Sequence, residues 1–159
     1  MKTQLKYVLL GFMLMAFLSC SDEDDSNKDD IKPVITINYD GGFPQACAEL
    51  TKGETYHFKA MISDNKELAS YSLDIHHNFD HHTHDDQGVQ CELDLLKEAS
   101  TPFIFMENYT VESGMTSYEI DITLTIPETV DAGDYHCAYS VTDVTGWQAR
   151  TSVDIKIVE

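Results

Sequence analysis

Hydrophobic and polar residues alternate with a period of two along most of the chain after residue 32. The clearest run is 119–126, in which Ile120, Ile122, Leu124 and Ile126 are separated by acidic or threonine residues. Other runs with one apolar and one polar face lie at 34–39, 54–63, 70–76, 103–111, 135–141 and 151–157. Strands covered on one side show this alternation, because successive side chains point to opposite faces of a sheet. The pattern therefore predicts about seven β-strands.

Short segments rich in glycine, serine and acidic residues separate these runs and indicate turns. They lie at 40–42, 63–65, 112–114, 131–133 and 145–146. A helix is indicated only weakly, at 93–98. Many short strands with regular turns are typical of an antiparallel sandwich. We therefore predict a single all-β domain over residues 32–159.

Residues 131–137, DAGDYHC, resemble the Asp-x-Gly-x-Tyr-x-Cys motif at the start of strand F in immunoglobulin-like domains. In that motif the tyrosine hydroxyl bonds back to the chain and the cysteine faces the core. The resemblance implies structural roles for Tyr135 and Cys137, in a bacterial immunoglobulin-like sandwich. The strand predicted at 54–63 contains no cysteine, so the core disulfide of antibody domains is absent.

The N-terminus has the features of an export signal. Lys2 and Lys6 precede an apolar run at 7–18, which is too short to cross a bilayer as a helix. Residues 17–20, FLSC, resemble a bacterial lipobox, although Phe17 stands where leucine is usual. The resemblance implies that residues 1–19 are a signal peptide and that Cys20 is lipidated.

The segment after Cys20 is strongly acidic. Residues 21–30 contain six acidic residues, one lysine and no apolar side chain. Like charges that repel and have nothing to bury predict a disordered tether, which we place at 20–31. An acidic run directly behind the lipidated cysteine also resembles the export signal of Bacteroidota-type surface lipoproteins. We therefore expect an outer-membrane lipoprotein that is exposed on the surface and held to the membrane by its lipid.

The overall charge excludes one large class of partners. The chain has 28 Asp and Glu against 10 Lys and Arg, a formal charge of −18, so it lacks the basic surface that binds nucleic acid. The sequence also contains no nucleophile elbow, phosphate-binding loop or dinucleotide fingerprint. We therefore predict that the protein is not an enzyme.

Three cysteines remain once Cys20 is assigned to the lipid. Cys137 lies on the apolar face of its predicted strand, where a free thiol packs as a small hydrophobic group. Cys47 and Cys91 lie in segments that look like loops, and export places them in an oxidising compartment. We predict a disulfide between Cys47 and Cys91; metal ligation by either sulfur is the alternative.

Five of the seven histidines fall within residues 76–84, at the start of a predicted insertion at 76–102. Imidazoles and carboxylates are the usual ligands of zinc, copper and nickel, and short His-rich tracts are typical of metal sites. Strands C and F are neighbours in immunoglobulin-like sheets, which places His76 close to His136. Asp80 is a candidate ligand or a hydrogen-bond partner of an imidazole. The full predicted metal set is His76, His81, His82, His84, His136 and Asp80.

Weaker interpretations of the polar segments stay open. The sequence has neither His-Glu-x-x-His nor Cys-x-x-Cys, so a solvated histidine loop is the alternative to a metal site. Asp64, Asn65 and Asp143 lie in predicted turns, where they either bind calcium or cap the turn, which is the commoner role.

The whole layout is similar to a family of secreted lipoproteins known only as domain of unknown function 4625. The matching segments are 32–33 (KP), 64–68 (DNKEL), 75–76 (IH), 132–136 (AGDYH) and 141–143 (VTD). They span most of residues 32–159 and imply a sandwich and a surface lipoprotein, with no known activity.

These observations predict a non-enzymatic surface lipoprotein that binds zinc or copper through the His-rich loop. Such a protein would serve metal uptake, together with an outer-membrane transporter or another surface partner. The alternative is an adhesion module of immunoglobulin-like fold that binds carbohydrate or protein and needs no metal, since this fold hosts unrelated functions.

Overall fold

A computed structural model describes residues 29–84 and 91–159 of the chain. These residues form eight β-strands and contain no helix. The strands are β1 (Val34–Thr36), β2 (Ala48–Thr51), β3 (Thr55–Ser63), β4 (Leu68–His77), β5 (Phe105–Thr110), β6 (Ser117–Thr125), β7 (Gly133–Asp143) and β8 (Gln148–Val158). The predicted all-β class is therefore confirmed.

The strands form two sheets that pack face to face. One sheet has three strands in the order β1-β3-β6, and the other has five in the order β2-β8-β7-β4-β5. All neighbours pair antiparallel except β2 and β8, which run parallel. The sandwich expected from the sequence is thus present, but its larger sheet is mixed rather than purely antiparallel.

The core lies between the sheets and is built from the apolar face of each strand. The three-stranded sheet contributes Phe58, Ile62 and Ile120, and the five-stranded sheet contributes residues such as Leu73 and Tyr139. In β3 and β6 the buried positions alternate with more exposed ones, as expected when one face meets solvent. In the first half of β7 every residue is buried, because the outer face is covered as well.

Tyr135, near the start of β7, is hydrogen-bonded to two segments that precede this strand in the chain. Its hydroxyl donates a hydrogen bond of 2.6 Å to the carbonyl of Asp131 and accepts one of 3.1 Å from the amide of Phe103. Burial raises the pKa of this tyrosine, so the hydroxyl stays a donor. The backward bond expected from the 131–137 motif is therefore present; the immunoglobulin-like assignment itself stays a prediction.

The insertion joins β4 to β5 and covers the outer face of β7. It runs over 78–104, rather than the predicted 76–102, because His76 and His77 belong to β4. Its described parts are 78–84 and 91–104. Gly133, with φ of 130°, opens β7 under this insertion, where an added Cβ would lie 3.1 Å from the ring of Phe79. The close approach of the insertion therefore requires glycine at this point.

The weak helix prediction at 93–98 is wrong. The segment is irregular and hydrogen-bonds to other parts of the chain: the amide of Asp94 donates to Asp134 and the amide of Lys97 donates to the carbonyl of Phe79. Leu95 and Leu96 are exposed, so a helix here would have no apolar face to bury. Tertiary hydrogen bonds therefore replace the ones a helix would make.

The predicted signal peptide and Cys20 lie outside the described residues. Within the described part, no helix is long and apolar enough to span a membrane. Asp29, which the sequence places in the tether, is already packed on the sandwich: its carbonyl accepts a 2.8 Å hydrogen bond from the indole of Trp147. The packed part of the chain therefore includes the last residues of the predicted tether.

Cys47 and Cys91 form a disulfide, the pair that the sequence predicted. Cys137 is the free cysteine of the described residues and is fully buried in the core. Burial raises the pKa of its thiol, because the thiolate would lose its hydration, so little thiolate forms.

We expect a soluble form, residues 21–159, to show no reactive thiol at pH 8 while it is folded, because Cys137 is inaccessible. Unfolding in denaturant should expose one thiol, and unfolding with reduction should expose all three. A colorimetric thiol assay measures each number. One fast-reacting thiol in the folded protein would contradict the buried position of Cys137, and three after unfolding alone would contradict the disulfide.

Candidate metal-binding site

The register between β4 and β7 pairs His76 directly with His136. Their neighbours Ile75 and Cys137 point into the core, so the two histidines lie on the opposite, outer face of the five-stranded sheet. The sequence predicts this proximity from strand order, and the structure shows it as a cross-strand pair.

The start of the insertion turns back over this pair. The amide of Asn78 donates a 2.8 Å hydrogen bond to the carbonyl of Asp134, and His81 takes a left-handed conformation with φ of 56°. This reversal brings His82 and His84 over the sheet. Their ring centroids lie 5.4 Å and 5.2 Å from the ring of His76.

His76, His82 and His84 converge on one point. One ring nitrogen from each lies within 4.8 Å of the others, and the two Nε2 atoms of His76 and His84 are 3.1 Å apart. The side chains of His76 and His82 are 23% and 34% exposed, so solvent and ions reach the cluster. These three residues are the predicted ligands whose ring nitrogens converge in the described part of the chain.

The histidine rings of His76 and His82 each have a carboxylate next to the Nδ1 atom. Nδ1 of His76 lies 3.0 Å from Asp74, and Nδ1 of His82 lies 2.6 Å from Asp80. These hydrogen bonds lower the pKa of both carboxyl groups, so the carboxylates stay ionised and accept the Nδ1 proton. In the tautomer that results, the unshared electron pair is on Nε2, as in many carboxylate–histidine–metal arrangements. In His76 this Nε2 is in hydrogen-bond contact with Nε2 of His84.

His136 packs against the cluster but faces a different partner. It is fully buried, with its ring 4.7 Å from His84 and 5.0 Å from His82. Its Nε2–H donates a 3.2 Å hydrogen bond to the carbonyl oxygen of His82, whereas its Nδ1 approaches Asp154 to 2.9 Å without forming a hydrogen bond. Burial lowers the pKa of His136, which favours the neutral ring. The structure therefore places His136 as a support of the cluster rather than as one of its three converging residues.

Two other predicted ligands, His81 and Asp80, are next to the cluster but are not among its three converging residues. His81 lines a cavity of about 230 Å³ together with Asn78, Cys91 and Leu93, and its buried Nε2 has no hydrogen-bond partner among the described residues. Asp80 binds the ring of His82, so of the two roles predicted for it the structure shows the one that orients an imidazole. The left-handed turn at His81 explains why it separates from His82 and His84.

Asp74 and Asp154 are site residues that the sequence did not single out. Asp74 is two residues before His76 and so lies on the same face of the strand; this spacing could have identified it from the sequence. Asp154 has no local signal, because only the register of β7 with β8 places it opposite His136.

The acidic turns form a second cluster, at the end of the sandwich where residue 29 packs. Carboxylate oxygens of Asp29, Asp64 and Asp143 lie within 4.8 Å of one another. Asp64 accepts from the amide of Lys66, and Asp143 accepts from the amides two and four residues later. Asp64 and Asp143 thus cap their own turns, the commoner of the two roles predicted for them.

The histidine cluster has the donor set of a transition-metal site. Three imidazole nitrogens are the protein ligands of one common class of zinc site, in which a fourth position stays open to water or another ligand. Copper(II) and nickel accept the same donors. Carboxylates at Asp74, Asp80 and Asp154 supply negative charge around a bound cation.

Fold and site together define a β-sandwich domain with a histidine cluster under an insertion on the outer face of one sheet. The chain belongs to the family described as domain of unknown function (DUF4625), whose model matches residues 18–158. The family membership predicted from the sequence is thereby confirmed. No protein of curated function shows significant sequence similarity to the chain.

One solved structure found by comparison is the crystal structure of Spo0M, a sporulation control protein from Bacillus subtilis. The match has 13% sequence identity and a TM-score of 0.39, and it covers 80% of this chain and 49% of that chain. The present chain therefore spans about half the length of Spo0M, and at this TM-score the likeness carries no argument about fold or function.

Proposed function

We propose that the protein is a non-enzymatic, surface-exposed outer-membrane lipoprotein that binds a transition metal ion, zinc or copper, through His76, His82 and His84. The observation that carries the proposal is the convergence of three imidazole nitrogens within 4.8 Å. Residues from a strand and from an insertion contribute to it, so the convergence is a product of the fold.

The orientation of the rings supports a metal site over a solvated loop. Histidines of a solvated loop keep their rotamer freedom, and fixing each ring costs conformational entropy. Here His76 and His82 are each held by a carboxylate on Nδ1, and Nε2 of His76 points at Nε2 of His84. A metal ion that binds all three rings offsets the entropy cost, and the nearby carboxylates favour a cation.

The partial exposure of the site supports a role in metal delivery. With three protein ligands, a fourth position is left for water or for a ligand from another protein. Transfer of an ion to an outer-membrane transporter needs such an accessible position. The signal-like N-terminus and the resemblance of residues 17–20 to a lipobox support location at that membrane.

Titration calorimetry of residues 21–159 tests the proposal. We expect zinc or copper(II) to bind at a 1:1 ratio with a Kd below about 1 μM at pH 7.5. Binding should weaken at pH 5.5, because protons compete with the metal for imidazole nitrogens. If zinc, copper(II) and nickel all bind more weakly than about 1 mM, the proposal fails and an adhesion module without metal becomes the better account.

A further inference from the structure

Asp154 connects the disulfide to the histidine cluster. Its Oδ1 lies 2.9 Å from Nδ1 of His136, and its Oδ2 accepts a hydrogen bond of 3.4 Å from the amide of Cys91. Its carbonyl oxygen accepts a 2.7 Å hydrogen bond from the amide of Cys47. One residue of β8 therefore touches both cysteines and the buried histidine of the site.

The contact between Asp154 and His136 is buried, so a change in the position of either residue affects the groups packed around it. Asp154 is 3% exposed and His136 is fully buried. A buried carboxylate is costly to leave without partners, so Asp154 holds its position as long as the groups around it stay in place. His136 in turn packs against His82 and His84 and contacts the carbonyl of His82, so a shift of Asp154 reaches the converging rings.

The disulfide is a main attachment of the insertion around residue 91. Leu95 is 92% exposed and Leu96 is also exposed, so the described segment after Cys91 gains little from apolar burial. Its other attachments include a hydrogen bond from the amide of Asp94 to the carboxylate of Asp134 and an ion pair between Lys156 and Asp94. Without the S–S bond, the amide of Cys91 is free to leave Asp154 and let water reach the buried carboxylate.

We propose that the Cys47–Cys91 disulfide, acting through Asp154 as a positioning residue, keeps the histidine cluster in its metal-binding geometry. This inference rests on the proposed function. It makes tight metal binding a property of the oxidised protein. A dithiol reductant would convert the protein to the weakly binding form. The S–S bond of the protein breaks and two S–H bonds form, while the dithiol loses two electrons and two protons as it becomes a disulfide.

Zinc titration of three forms of residues 21–159 tests the inference. They are the oxidised wild type, the double variant Cys47→Ser/Cys91→Ser and the variant Asp154→Asn. Serine replaces both cysteines in the double variant, so no free thiol is present to act as a new zinc ligand. We expect the Kd for zinc to rise at least about tenfold in each variant, the range found when outer-shell partners of metal ligands are removed. Fluorescence of Trp147, the single tryptophan, checks that each variant is folded.

A cobalt(II) spectrum separates positioning of the site from general stability. Geometry around cobalt(II) determines its visible absorption, so an altered spectrum in folded Asp154→Asn supports a change at the metal. Wild-type zinc affinity in either folded variant overturns the inference while leaving the proposed function intact. If the double variant does not fold, Asp154→Asn, which keeps the disulfide, decides alone. Absence of zinc binding in the wild type overturns both proposals.

Discussion

Replacing His76 and His84 together by alanine should raise the Kd for zinc at least about 100-fold, a loss of about 2.7 kcal/mol of binding free energy. The variant removes two of the three converging imidazoles, whose Nε2 atoms lie 3.1 Å apart. His76 is on the outer face of β4 and His84 is in the insertion, so the core stays intact. Calorimetry on the folded variant measures the loss.

His57→Ala is the matched control for this experiment. His57 also has a carboxylate partner, with Nδ1 2.8 Å from Asp121, but it lies on β3 in the other sheet. It belongs to none of the histidine groups that converge in the described part of the chain. The control should bind zinc as the wild type does. Equal loss in both variants, or no loss in the double variant, would contradict the assignment of the site.

Leu73→Ala should lower the free energy of unfolding by about 2–5 kcal/mol, which is a large share of the stability of a small domain. Leu73 lies near the middle of β4, is fully buried and belongs to the core between the sheets. The shortened side chain leaves a cavity that β5 and β7, paired with β4 on both sides, prevent from closing. Urea unfolding followed by Trp147 fluorescence gives the value.

Met106→Ala on the neighbouring β5 is the control for the core variant. Met106 is apolar and similar in size to leucine, but it is 66% exposed. Its removal should change the free energy of unfolding by less than about 0.5 kcal/mol. If Leu73→Ala lowered the free energy of unfolding by less than about 1 kcal/mol, this position would not be in the core.

The alternating pattern predicted the strands because each sheet has one face in the core. The burial of Ile120 and Ile122 in β6, with the exposed Asp121 between them, is the period-two pattern of the sequence. The four-residue β2 went unpredicted because it is too short to show a period. Its parallel pairing with β8 joins residues about 107 positions apart, so it depends on tertiary contacts.

Strand order allowed only part of the candidate site to be predicted. The sequence prediction placed His76 near His136 because strands C and F are neighbours in immunoglobulin-like domains, and the structure pairs the two residues directly between β4 and β7. The separation of His81 from His82 and His84 depends on a single left-handed residue, which the sequence does not mark. Asp154 enters the site only through the register of β7 with β8.

X-ray absorption at the zinc edge, on residues 21–159 loaded with one equivalent of zinc, tests the central claim most directly. The account predicts a first shell of at least three imidazole nitrogens at about 2.0–2.1 Å from zinc. The scattering pattern of imidazole rings should weaken in the His76→Ala/His84→Ala variant. A shell of oxygen atoms alone, or one that contains sulfur at about 2.3 Å, would contradict the histidine site.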